Sequence, residues 1–374
     1  MRSRRRLINV TIDVKVILDS VAPNGVRLTT FELTYPRFIH SELMTHRVFS
    51  RNAASSRAVP TKKKIERIRQ DMAMPVEWGV NQKGMQAAGP LPPEEAALAE
   101  RLWREAGAQA LEHAEYMIGV RCHQCGWVFA EADRGKETFT CSCSETVKLD
   151  LHKQVANRII EPWDHITVVL STTKLANHRK LRTEIDKQTG RPLPDPTYFE
   201  LATKMHAAAD ASTPYKVLLH DWHLPYVYRD TLIDGVTIRD MSDEDADAIN
   251  GDLSVAKKVS VGRCARVSYL RQGQGDIEEN IKLHDRLLVG HWAPFEHVAT
   301  PIDCEFRTYD EPFKCHCGRR DTRGAYIGLN TSDKYIDIPL LCSKCAIGHV
   351  TSGNFVGWAQ YRKEFLNEAG GDIL

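Results

Sequence analysis

Twelve consecutive residues of this chain, HRVFSRNAASSR at positions 46 to 57, gather His46, Arg47, Ser50, Arg51, Asn52, Ser55, Ser56 and Arg57 with no carboxylate among them. Such a set attracts an anion. Arginine forks bind phosphate through paired N–H donors, and serine hydroxyls or backbone amides complete the shell. A nucleotide phosphate or a flavin pyrophosphate is therefore the natural ligand. A solvated basic loop is the plainer reading of any charge run, but His, Asn and three Ser among only three Arg make a poor solvation face.

The cysteines suggest a second kind of chemistry. Of the ten, four fall at Cys122, Cys125, Cys141 and Cys143 and four at Cys315, Cys317, Cys342 and Cys345, leaving Cys264 and Cys304 isolated. Two close pairs separated by a loop, twice over, is zinc-site spacing in a reducing compartment rather than a secreted disulfide framework. Four thiolates close a tetrahedral zinc site and leave no open position for water, so these sites would fold loops and not catalyse. His123 and His316 are spare ligands. The spacing leaves open whether the quartets close separately or share ligands.

The elements that must position these residues can be read coarsely. The chain has 374 residues, 42% of them hydrophobic, enough for one large domain or two ordinary ones. Residues 9 to 34 read as a hairpin turning at Ala22-Pro23-Asn24-Gly25. The polar stretch from Phe38 to Arg57 follows and is closed by Pro60. Acids after Pro92 and Pro93, then helical apolar spacing, predict a helix through EEAALAERLWREAGAQALEHAEYMIGV. It halts near Val120 at a cysteine-bearing insertion, and helical pattern resumes at HKQVANRII. HITVVLST, residues 165 to 172, fits a buried strand or the apolar side of a helix equally well. DKQTGRPLPDP is a loop before the helix-like YFELATKMHAAAD, and RCARVSYL, EENIKLHDRLL and HWAPFEH occupy the last third.

Fifty basic against forty-nine acidic residues give a formal charge of +1, so no overall field favours nucleic acid or an anionic membrane. A zinc-ribbon nucleic-acid-binding protein using Lys62, Lys63, Lys64, Arg67 and Arg69 is a competing class, weakened by that neutrality and by the absence of interleaved aromatics. No signal peptide and no apolar run of about 18 residues is seen, which predicts a cytoplasmic protein.

The segment THRVFSRNAASSR resembles the signature of the flavin-dependent thymidylate synthases, in which Arg-His-Arg is followed by spaced Ser, Asn, Ser and Arg. His46, Arg47, Ser50, Asn52, Ser55 and Arg57 match, whereas Thr45 stands for the first Arg and Ala53 for the Glu that usually follows the Asn. ANRIIEP resembles the family's nucleotide-binding segment, LANHRKLR the segment that contacts flavin and holds the pyrimidine ring, and RCARVSY and APFEH its flavin-binding Ser segment and neighbouring turn, with Ala293 in place of a Thr. The last two follow the first where the family has them before it, an order that resembles circularly permuted bacteriophage proteins.

This resemblance implies an α+β fold, an antiparallel sheet with flanking helices, to which the cysteines would add two small zinc-ribbon-like insertions. It divides the chain into a core of residues 1–120 and 152–300, a zinc-binding insertion at 121–151, a second zinc-binding segment at 301–350 and a C-terminal part of the core at 351–374. The implied reaction moves a methylene unit from methylene-tetrahydrofolate to carbon 5 of dUMP, with FAD reduced by NADPH. Arg182, Arg158 and His46 would be catalytic. His46, Arg47, Ser50, Asn52, Asn177, Ser268 and His297 would hold cofactor. Glu42, Ser55, Ser56, Arg57, Arg158 and Arg182 would bind substrate. Partners would be a pyrimidine deoxynucleotide monophosphate, folate and further copies of the chain in a homotetramer. A relative acting on dCMP, or leaving a hydroxymethyl group, is the alternative within the class.

Overall fold

A computed structural model describes residues 11–122, 146–148, 151–218, 221–227, 252–301, 303–313, 322–329 and 354–365. The chain opens on β1 (Asp13–Val21) and β2 (Arg27–Pro36), paired antiparallel with a bulge between Val16 and Leu18. Their turn is closed by Ala22 N donating to Val26 O at 3.0 Å, and Gly25 supplies the positive φ of 80° that it needs. A short helix, α1 (His40–Met44), leads through the polar segment into β3 (Ser50–Ala53), then α2 (Thr61–Gln70) and the long α3 (Pro93–Met117). Pro93 at its start and Glu94 and Glu95 in its first turn match the sequence expectation.

Beyond α3 come β4 (Val120–Cys122) and β5 (Thr146–Lys148), which pair with each other. The expected helix at HKQVANRII is only α4 (Lys153–Ala156), continued as a 3-10 helix over Asn157–Trp163 that contains Pro162. Pro162 has no N–H to donate to the Arg158 carbonyl, so an α-helical ladder could not continue through it. HITVVLST is a strand, β6 (His165–Thr172), and every residue of it is buried. Burial on both faces is what removed the alternation that would have identified it.

The remaining elements are α5 (Ala176–Arg182), α6 (Pro196–Ala211), β7 (Tyr215–Lys216), α7 (Leu253–Ala265), α8 (Ile277–Leu287), β8 (Ala299–Pro301), β9 (Asp303–Phe313), β10 (Thr322–Leu329) and β11 (Trp358–Gln360). The main sheet has the order β3-β6-β2-β1-β7. It is not wholly antiparallel as expected. The two-residue β7 lies parallel to β1, because the chain returns from α6 across the sheet and covers the open edge in β1's own direction.

One face of the sheet buries Phe31, Leu33, Tyr35, Ile166, Val168 and Leu170 against Tyr198, Leu201 and Met205 of α6. Each such side chain contributes about 1.5–3 kcal/mol on burial. A second core joins α7 to Trp222, Phe295 and Tyr361. Helices α7 and α8 approach so closely that a Cβ on Gly262 would meet the Asn280 carbonyl oxygen at 2.6 Å. β11 pairs with β8, and the Trp358 indole donates to Val26 O at 3.1 Å, which docks the downstream segment on the first hairpin. No helix among the described residues is long and apolar enough to cross a membrane. Of the eight grouped cysteines, Cys122 ends β4, while Cys125, Cys141, Cys143, Cys315, Cys317, Cys342 and Cys345 lie outside the described residues.

Candidate active site

The polar segment folds as a run of tight turns, with His46 N donating to Leu43 O and Phe49 N to His46 O, both at 3.2 Å. Arg51 is consumed in holding it: its Nη1 donates to Leu43 O at 3.1 Å and to His46 O at 3.3 Å. His46 is thereby carried inward, 7% exposed, against Phe49 and His178 with ring centroids 5.5 and 4.8 Å away. At the end of α5, Arg182 reaches back to the same segment. Its Nε donates to His46 Nε2 at 3.0 Å, its Nη1 to Glu42 Oε2 at 2.9 Å and its Nη2 to Thr45 Oγ1 at 3.2 Å, while its guanidinium lies 4.7 Å from the Tyr198 ring centre.

These contacts fix the protonation state of His46. A guanidinium only donates, so Nε2 carries the lone pair and the ring proton sits on Nδ1. Burial, then the charges of Arg182 and Arg51, bring the His46 pKa down to about 4, so the ring is neutral near pH 7. Glu42 moves the other way: burial and Asp195 raise its pKa against the pull of Arg182.

The other motif segments meet the same polar run. Asn52 Nδ2 donates to Cys264 O at 3.0 Å and Ser55 N to Ser268 O at 3.1 Å, so β3 and the turn after it lie against the end of α7. The Ser56 hydroxyl donates to Glu161, whose carboxylate also takes Arg158 and Arg37 at 3.2 Å each. Arg47 and Arg57 are exposed and have no ion-pair partner among the described residues. Asn177, in the first turn of α5, is likewise exposed. Ser268 is half-buried in the 3-10 turn Arg266–Tyr269.

Among solved structures the chain is similar to a UMP/dUMP methylase, PolB, from Streptomyces cacaoi, bound with 5-Br dUMP. The identity is 14% and the TM-score 0.36, over 54% of this chain and 90% of that one. The same methylase bound with 5-Br UMP matches at 15% identity and a TM-score of 0.38, over 54% of this chain and 89% of its own. No protein-family model matches the chain, and no curated protein does.

Ser50 and His297 are placed differently from the exposed arginines. Both are buried in a polar row across the other face of the sheet. Ser50 Oγ accepts from Asn354 Nδ2 at 2.5 Å and Gln360 Nε2 at 2.9 Å. His297 Nδ1 bonds Ser171 Oγ at 2.9 Å, Ser171 bonds Thr30 Oγ1 at 2.6 Å, Thr30 bonds His223 Nε2 at 2.7 Å, and His223 Nδ1 bonds Ser20 Oγ at 2.8 Å. His297 Nε2 and Gln360 Oε1 are buried without a hydrogen-bond partner among the described residues. Burial brings His223 and His297 down to about 3, so both rings are neutral.

Sequence reasoning missed Tyr198, His178 and His206, which pack behind Arg182 and His46. His178 stands inside LANHRKLR, and His206 lies two helical turns after Tyr198 on α6, but a lone histidine in an apolar setting gives no signal of its partners. Cys264 is buried, and burial pushes its thiol well above the ordinary range, which makes it a packing residue and not a nucleophile. The basic run on α2 is largely spent on ion pairs. Lys64 is buried with Asp164 at 2.5 Å, Arg67 lies 3.7 Å from Asp164, and Arg69 bonds both oxygens of Glu115 at 2.8 Å.

Proposed function

We propose that this protein transfers a one-carbon unit from methylene-tetrahydrofolate to carbon 5 of a pyrimidine deoxynucleotide monophosphate, dUMP in the ordinary form of the reaction, giving dTMP. The observation that carries this reading is convergence. Segments distant in sequence meet around residues 42–57: Arg182 on Glu42, Thr45 and His46, Cys264 and Ser268 on Asn52 and Ser55, and Glu161 with Arg158 on Ser56.

Reduced FAD, when bound, supplies the hydride that completes the methyl group, and NADPH recharges it. The residues present fit an anionic cofactor: Arg47 is an exposed cation without an ion-pair partner among the described residues. Asn177 and Ser268 would add polar contacts, and Ser50, Asn52 and His297 would act from the buried side.

Arg182 would donate to a ring oxygen of the pyrimidine and stabilise negative charge that develops there. Its existing bond to Glu42 leaves a carboxylate beside the ring edge, where it can accept from N3–H of uracil or from the exocyclic amine of cytosine. Because that acceptor serves either ring, a dCMP substrate is the second reading. His46 would orient its partners as a neutral Nδ1–H donor and not as an acid. Arg158, Arg57 and the Ser55 hydroxyl would take the phosphate, while Ser56, whose proton goes to Glu161, would hold the segment in place.

The cysteine quartets are proposed to hold structural zinc, and the protein to work as a cytoplasmic homo-oligomer, a tetramer by its resemblance. The test is product mass after anaerobic incubation with FAD, NADPH, methylene-tetrahydrofolate and mixed dUMP and dCMP. A dUMP product heavier by one methylene supports the reading, and a modified dCMP selects the second one. No product and no bound flavin would overturn both.

A further inference from the structure

Tyr198 belongs to none of the motif segments, yet Arg182 lies on its ring. It is fully buried near the start of α6, where the Asp195 side chain caps the helix by accepting from the Thr197 and Tyr198 amides at 2.9 and 3.0 Å. A buried phenol needs a partner for its hydroxyl. Here it is His178 Nε2 at 3.1 Å, and His178 Nδ1 in turn bonds His206 Nε2 at 3.0 Å. The cap fixes the backbone and the His178 bond fixes the ring, so one aromatic face has one setting. The His46 ring lies 22° from parallel to it, with centroids 6.4 Å apart.

An arginine side chain has many rotamers to lose, and a carboxylate at one end of the fork does not define the fork's plane. The ring beneath it does, because guanidinium groups stack on aromatic faces.

We propose that Tyr198 is the positioning residue for Arg182, its anchored ring face holding the guanidinium where Nε reaches His46. The effect on nucleotide binding rests on the reading of Arg182 as the ring-holding arginine. The Arg182–His46 contact itself is independent of any substrate. A merely structural Tyr198 would fill the core beside Leu201 and act equally whether or not Arg182 is present.

The experiment uses the full chain carrying Tyr198→Phe or Tyr198→Leu, each with and without Arg182→Ala. Binding of dUMP is measured by calorimetry, and the His46 ring tautomer by nitrogen NMR without ligand. The phenylalanine variant keeps the face, held by the Asp195 cap and the core around it although its bond to His178 is lost, and should bind within about threefold of the parent with His46 still mainly the Nδ1–H form. The leucine variant should bind about tenfold more weakly in the parent background but within about twofold of its control when Arg182 is absent, with His46 a mixture of tautomers. Equal weakening in both backgrounds with His46 unchanged overturns the proposal. Absence of dUMP binding by the parent instead sinks the proposed function, and the tautomer measurement then decides the positioning role alone. If the leucine variant does not fold, Tyr198→Met, flexible enough to fill the space, replaces it.

Discussion

Acidification should unfold this protein at a pH where its carboxylates still hold their ion pairs. His46, His178, His206, His223 and His297 are each at least nine-tenths buried, and burial is the first cause of every downward shift, to about 4, 2, 4, 3 and 3 respectively. In the unfolded chain each returns to about 6.5. The unfolded state therefore binds protons that the folded state refuses, so stability is fully present above the unfolded value and falls as pH drops toward the folded values. Between pH 7 and pH 5 linkage gives about 2 kcal/mol per histidine, an additive ceiling of about 9 kcal/mol for the five. A domain typically holds about 5–15 kcal/mol in all, so the fold should be marginal at pH 5. Urea unfolding followed by tryptophan fluorescence and far-ultraviolet circular dichroism at pH 7, 6 and 5 measures this directly. A loss below about 2 kcal/mol over that interval would mean that the rings ionise in place and that the assignment of buried neutral histidines is wrong.

Two further outcomes follow from particular contacts and a third from the spacing of the cysteines. Replacing Arg182 with alanine should lower kcat/KM for methyl transfer by about 10²–10³-fold, the loss typical of one donor to developing charge, in an anaerobic single-turnover assay. Removing one partner of the buried Lys64–Asp164 pair, by Lys64→Met or Asp164→Asn, should cost about 3–5 kcal/mol in denaturant unfolding, while the double replacement Lys64→Met with Asp164→Leu recovers most of it. Elemental analysis should find zinc bound by the cysteine quartets, and a strong chelator should lower the thermal midpoint of the holoprotein while releasing the metal.

Local chemistry explains what could be read before the structure. The α3 helix was legible because Pro93, Glu94 and Glu95 mark its start and a regular apolar stripe follows. The first hairpin was legible because Asn24 and Gly25 permit one kind of turn, in which Asn24 Oδ1 accepts from Val26 N at 3.0 Å. β6 was ambiguous for the opposite reason, since Val168, Val169 and Leu170 are all buried and give no period. That Arg182 and His46 both serve the site is an expectation drawn from resemblance; their contact is seen only in the structure. Glu42, with Thr45 in place of a family arginine, accepts the guanidinium from outside. Tyr198, His206, His223 and Gln360 were illegible because their partners lie far away in sequence and hydrogen bonding between buried groups leaves no local pattern.

The hydroxyl of Ser50 waits for residues made long after it. Gln360 lies 310 positions downstream, and the indole that docks its strand on the first hairpin lies 332 positions beyond Val26. At about 5–20 residues per second, a ribosome needs roughly 15–60 s to make that intervening chain. Strands β2, β6 and β3 are all made within that time, so a nascent chain that paired them would have its sheet assembled while the Ser50 end of the polar row was still open. Such distant closure is slow to find. A chaperone that shields exposed strands would have its longest task here, and folding to the active form would be timed by the arrival of β11.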